Sequence, residues 1–160
     1  MKKYQLIIIV LNLLLILGLY HYFVMAKEKT LAKGTLVLLE LAPVDPRSLM
    51  QGDYMSLRYA ITENVSDSIA RTGYYVISLD SGLIARKLRI QPAPQPLNPG
   101  ELLLKYHQTS WQLALGAEDY FFQEGQAEKY DKAKYGGLRV DEKGNSILVG
   151  LYNEEKKLIQ

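Results

Sequence analysis

The residues able to do chemistry gather in two short segments. The first holds Asp45, Arg47, Ser48, Asp53, Tyr54 and Arg58, and the second holds Glu118, Asp119, Tyr120 and Glu124. Tyr54 and Arg58 stand four positions apart, and on a strand an even spacing places both on one face. With Asp53, Tyr120 and Glu124 they can line a partly wet pocket for a polar ligand or partner. Tyrosine suits such a surface because it joins a flat apolar ring to a polar tip, and the chain carries 12 Tyr against 3 Phe and 1 Trp. The alternative is architectural. Gly52 permits a tight entry into a strand, and Asp53 bonds nearby backbone in the turn. Asp45, Arg47, Asp53 and Arg58 then form an ion-pair network, while Leu57 and Tyr59 face a core.

Other chemistries find less material. Ser48 as a nucleophile needs a base, and only Lys87 or Lys105 on a later strand offers one. His21 and His107 stand alone, and no pair of histidines with a carboxylate has ligand spacing, so no transition-metal site is expected. The absence of cysteine removes disulfides, thiol nucleophiles and thiolate metal sites together. No cofactor is implied. Glu118, Asp119 and Glu124 read most simply as carboxylates at the start of a helix, where the dipole favours them.

Charge excludes another class. The chain has 19 Lys+Arg and 17 Asp+Glu. Two of those lysines, Lys2 and Lys3, and no acid lie in residues 1–26, so residues 27–160 carry 17 of each sign. A nucleic-acid backbone needs concentrated positive charge, and none is present.

Gly52-Asp53-Tyr54-Met55-Ser56-Leu57-Arg58-Tyr59, with its run-up Pro43-Val44-Asp45-Pro46-Arg47-Ser48-Leu49-Met50-Gln51, resembles the signature of the bacterial GDYXXLXY family. Gly52, Asp53, Tyr54, Leu57 and Tyr59 supply every fixed letter. Glu118-Asp119-Tyr120-Phe121-Phe122-Gln123-Glu124-Gly125-Gln126-Ala127 is similar to a second segment of that family, a Tyr-Phe followed by Glu-Gly and a helix. The resemblance implies a membrane-anchored protein of unassigned function, working beside a multi-pass membrane protein. A weaker likeness runs to the serine–lysine signal peptidases, which place a serine soon after a membrane segment with a Gly-Asp close behind. Leu49-Met50-Gln51 stands where those enzymes have Met and Pro.

These residues need elements to position them. Lys2 and Lys3 precede residues 4–26, which carry no formal charge and are nearly all Leu and Ile from 6 to 19. Twenty-three helical residues at about 1.5 Å each reach roughly 34 Å, enough for a hydrocarbon core of about 30 Å. Tyr20, Tyr22 and Phe23 suit an aromatic belt at the far interface. The segment is expected to be a retained signal-anchor. A signal peptide cut after Ala26 is the alternative, and a buried globular helix would be shorter with a polar face. Lys2 and Lys3 favour an inside N-terminus, against Lys27, Lys29 and Lys33 at the other end.

Residues 27–34 read as a polar linker and 35–160 as one extracytoplasmic domain. Within it, 35–41 predicts a strand apolar on both faces. Residues 52–62 predict a strand with Met55, Leu57, Tyr59 and Ile61 on one face. A short surface helix is expected within 63–71. Strands over 74–79 and 83–90 form a hairpin about Asp80-Ser81-Gly82, and Pro92, Pro94, Pro96 and Pro99 make an extended loop. Strands follow over 102–107 and 111–115, then a helix over 117–134 broken at Gly125. A last hairpin turns at Lys143-Gly144-Asn145. The expected fold is mainly β, a small barrel or sandwich with one C-terminal helix, plus the N-terminal transmembrane helix. The expected function is a non-enzymatic accessory or interaction domain on the extracytoplasmic side, partnered by a multi-pass membrane protein. A membrane-tethered binding domain for a cell-envelope glycan or peptide is the second reading, and a Ser-dependent hydrolase the third.

Overall fold

The N-terminal run forms one helix, α1 (Lys3–Lys33), of 31 residues. The structure, a computed structural model, describes residues 3–42, 54–63, 69–109, 113–123 and 125–159. At about 1.5 Å per residue α1 is roughly 46 Å long. It is long and apolar enough to cross a membrane, and none of its apolar window is buried against the rest of the protein. The helix does not stop at Ala26. Residues 27–33, read as a linker, continue it without a break. It ends at Gly34, whose N–H closes on the Thr30 carbonyl at 2.8 Å. A Cβ on Gly34 would collide with that same oxygen.

The remainder is mainly β. A three-stranded antiparallel sheet has the order β1 (Thr35–Glu40), β8 (Tyr135–Val140), β9 (Ser146–Tyr152). A four-stranded antiparallel sheet has the order β4 (Ala85–Gln91), β3 (Thr72–Leu79), β5 (Glu101–Gln108), β6 (Leu113–Ala114). A two-stranded ribbon pairs β2 (Tyr54–Ser56) with β7 (Asp119–Phe121). Val37, Leu38 and Leu39 are buried in succession, as are Tyr75, Val76 and Ile77. Both faces of β1 and β3 are therefore covered, which is why their sequences lack alternation. Leu57, Tyr59, Tyr75, Leu104, Leu138 and Leu151 meet in one core.

Single contacts join the sheets. The Leu38 N–H donates to the Leu83 carbonyl at 2.8 Å, and Leu41 bridges Tyr59. Among the described strands no ladder closes on itself, so the expected barrel is not formed. Three small sheets share one core instead.

Two further expectations are corrected. The strand placed at 52–62 is described only from residue 54, and its regular part ends at Ser56. One further bond extends the pairing with the β7 side, and from Arg58 the chain changes partners. The Leu57 N–H donates to the Glu118 carbonyl, the Arg58 carbonyl accepts from Ala42, and residues Ala60–Thr62 curl into a 3-10 turn. The helix expected over 117–134 is reduced to one turn, α2 (Ala127–Tyr130). Its Glu, Gln, Ala and Lys content favours helix, but Tyr120 and Phe122 are spaced by two, the period of a strand. Pairing with β2 outweighs a weak local preference. Of the surface helix expected within 63–71, residues 69–71 are not helical, and the caps Asn64 and Ser66 lie outside the described residues.

Candidate functional site

The two chemistry-bearing segments meet in space. In the β2–β7 ribbon Tyr54 is opposite Phe121, Met55 opposite Tyr120, and Ser56 opposite Asp119. The Tyr59 hydroxyl then donates to the Ala117 carbonyl at 2.5 Å, a buried contact across 58 residues of sequence. Burial holds the Tyr59 hydroxyl far above the usual tyrosine range, and the nearby Glu118 carboxylate adds to this. It is therefore a permanent donor. Glu118 does not start a helix as expected. Its carboxylate accepts from the main-chain N–H groups of Leu115 and Ala117 and so fixes the turn at Gly116. Asp119 opens β7 rather than a helix.

The predicted faces hold where they can be seen. Leu57 and Tyr59 are each 1% exposed, whereas Ser56, Arg58 and Asp119 are exposed. Phe121 is 75% exposed, unusual for a large apolar side chain on a strand. Tyr120 is half-buried and belongs to an aromatic group. Its ring lies 5.2 Å from that of Tyr130, edge to face, and Phe122 lies 5.1 Å from Tyr130. Burial, with a hydrogen bond to Tyr130, pushes the Tyr120 hydroxyl up to about 12. Of the five residues proposed to bind a ligand or partner, Tyr54 and Tyr120 are thus on paired strands, and Arg58 is at the surface beyond the ribbon. Asp53 and Glu124 lie outside the described residues.

Ser48 also lies outside them. The two lysines named as its bases have other neighbours. Lys105 Nζ donates to Asn145 Oδ1 at 2.7 Å, and Lys87 Nζ sits 5.7 Å from the centre of the Tyr75 ring. His107 is exposed on β5. Among the described residues no three His, Asp or Glu side chains gather as metal ligands would.

A second constellation, not anticipated from the sequence, ties α1 to the β domain. The buried Thr30 hydroxyl donates to Asp141 Oδ2 at 3.0 Å. Asp141 also accepts from the N–H groups of Lys143 and Asn145, each at 2.9 Å, and from the Asn145 amide at 2.8 Å. Burial alone would raise the Asp141 carboxyl. The donors from Asn145, Thr30 and Lys143 outweigh it and hold the group below its ordinary value. The same turn grips β5, because the Lys105 N–H donates to the Gly144 carbonyl at 2.9 Å. Arg139 Nη1 donates to the Gly34 carbonyl at 2.9 Å. The Asp141 carboxylate thus bonds the helix end to the β8–β9 turn, and the main chain of that turn bonds the central sheet. Asp141-Glu142-Lys143-Gly144-Asn145 is legible as a turn, but nothing in its spacing points to a threonine 111 residues earlier.

Comparison with curated proteins and with solved structures gave no match. The family profile described as "GDYXXLXY protein" matches residues 16–151. The match takes in the C-terminal half of α1, the β2–β7 ribbon and the Asp141 turn. The chain belongs to the GDYXXLXY family.

Proposed function

We propose that this chain is a single-pass membrane protein whose β domain stands on the extracytoplasmic side as a non-enzymatic accessory domain of a multi-pass membrane protein. The observation that carries the reading is the continuity of α1. The helix leaves its apolar run and enters the Thr30–Asp141 clasp without a flexible joint. A freely acting domain needs no such stiffness. With it, whatever packs on α1 inside the bilayer also sets where the domain stands.

Two further features support a partner. Asn12 is exposed in the middle of the apolar run, and an amide in hydrocarbon gains from a hydrogen bond to a neighbouring helix. Arg58, Asp119 and Phe121 give the domain an exposed strip of mixed chemistry at the signature ribbon, the composition of an interface rim with an aromatic anchor. Lys2 and Lys3 favour the orientation with the N-terminus inside.

The test places a photo-crosslinking residue at Asn12 and, separately, at Phe121 in the full-length chain. Native membranes are irradiated, extracted in mild detergent and analysed by mass spectrometry. Both positions are expected to capture the same multi-pass protein. Recovery of a soluble mature form starting at Lys27, or capture of no multi-pass protein from either position, would refute the reading.

A further inference from the structure

A groove lies between α1 and the β domain. It has a volume of about 590 Å³, and its walls are Phe23, Val24 and Leu31 of α1 with Ile147 and Leu148 of β9. Lys27 and Glu28 also line it. The volume falls in the range of roughly 300–1,000 Å³ typical of sites for small molecules.

We infer that this groove binds a membrane phospholipid, with an acyl chain along the apolar wall and an anionic headgroup at Lys27. The inference rests on the proposed membrane-spanning role of α1. A hydrocarbon core of about 30 Å holds some 20 helical residues. Counted from Tyr4, where the apolar span begins, it ends near Phe23. The groove runs along α1 from Tyr20 to Leu31, about 16 Å at the helical rise. It therefore straddles the boundary between hydrocarbon and headgroups and is continuous with the lipid-facing surface of the helix.

Charge agrees with that depth. Lys27, Lys29 and Lys33 are exposed at the helix exit against one acid, Glu28, which also lines the groove. Among the described residues no ion pair is formed by Lys27. Cations at this level attract anionic headgroups. The apolar floor takes the chain, and the lysine selects the head.

The experiment uses the full-length protein, stripped of lipid in detergent. Phosphatidylglycerol or phosphatidylcholine is added, and bound lipid is read by native mass spectrometry. The wild-type protein is expected to retain phosphatidylglycerol in preference to phosphatidylcholine. Val24→Trp fills the groove and is expected to lose the bound lipid while staying in the membrane fraction. Lys27→Ala is expected to lower the preference for phosphatidylglycerol on the order of fivefold, the worth of one lysine beside an anionic leaflet. Equal lipid retention by wild type and Val24→Trp, with the anchor intact, overturns the lipid site alone. So does a Val24→Trp protein that keeps its lipid but no longer co-purifies with a multi-pass partner, since the occupant is then a helix. A mature form beginning at Lys27 overturns both this inference and the membrane reading beneath it.

Discussion

Tyr59, the last fixed residue of the signature, donates a hydrogen bond from its hydroxyl to the carbonyl of Ala117, in the loop that leads into the second family segment. The signature is thus tied to that segment through the β2–β7 ladder, and to the loop before it through this buried hydrogen bond. Tyr59→Phe keeps the ring and removes only the donor, leaving the Ala117 carbonyl buried without it. The expected loss is about 1–3 kcal/mol, the cost of an unsatisfied buried group. Urea titration of the full-length protein in mild detergent measures it. An unchanged midpoint would show that water or a shifted backbone takes over the bond.

Neighbouring residues of the signature should separate by face. Leu57 is 1% exposed within the core, so Leu57→Ala is expected to cost about 2–5 kcal/mol. Arg58 is exposed, and its replacement by alanine is expected to change stability by no more than about 0.5 kcal/mol. If Arg58 belongs to a partner surface, the same variant loses co-purification of the multi-pass protein with an unaltered melting curve. A larger stability loss at Arg58 than at Leu57 would invert the assignment of faces.

Much of the fold was legible because its signals are local. The unbroken apolar run predicted α1, and Asp80-Ser81-Gly82 predicted the β3–β4 turn, where Asp80 Oδ1 accepts from Gly82 and Ile84. The alternation of Met55, Leu57 and Tyr59 predicted the burial of Leu57 and Tyr59 and the partial burial of Met55, even though regular pairing stops at Ser56. What stayed hidden depends on distant partners. Residues 117–134 look helical by composition, and only the presence of β2 draws Asp119–Phe121 into a strand. Gly136 shows the same limit. A Cβ there would lie 2.8 Å from the Tyr59 ring, a reason for glycine that appears only once the two distant segments are side by side. The candidate binding set divided for a similar reason. Strand spacing can group Tyr54 with Arg58, but it cannot reveal that Tyr120 packs on Tyr130.

The proline-rich loop gives the domain an acid-sensitive fastening. Arg89 grips Glu101 through two hydrogen bonds of 2.6 and 2.7 Å and also donates to the Pro96 carbonyl at 2.9 Å. The Arg89 bonds, followed by the Asn98 N–H, lower the Glu101 carboxyl from 4.5 to about 2. A depressed carboxyl stabilises the fold fully above its unfolded value, and that contribution is lost as pH falls toward the folded one. Wild-type stability is therefore expected to drop between pH 4.5 and 2 more steeply than that of Glu101→Gln. Parallel denaturant titrations across that window compare the two. Identical pH slopes would mean that the pair is not formed in solution.

The clasp between α1 and the β domain yields the most discriminating prediction, because its two partners do different amounts of work. Thr30 contributes one hydrogen bond to a charged acceptor, so Thr30→Val is expected to cost about 1.5–3 kcal/mol. Asp141 also holds the Lys143 and Asn145 donors, and Asp141→Ala should cost more because turn and clasp fail together. Melting alone does not say which part has loosened. Trypsin does, since Lys29 and Lys33 lie in the stretch of α1 that the clasp immobilises. In the wild-type protein these sites should be cut slowly. In Thr30→Val cleavage there should accelerate while residues 35–159 remain resistant, because the β core does not depend on that hydroxyl. In Asp141→Ala the β8–β9 turn should be attacked as well, at Lys143. A Thr30→Val protein cut at Lys29 and Lys33 no faster than wild type would show that helical continuity alone stiffens the junction, and the role given to the Thr30–Asp141 bond would fall.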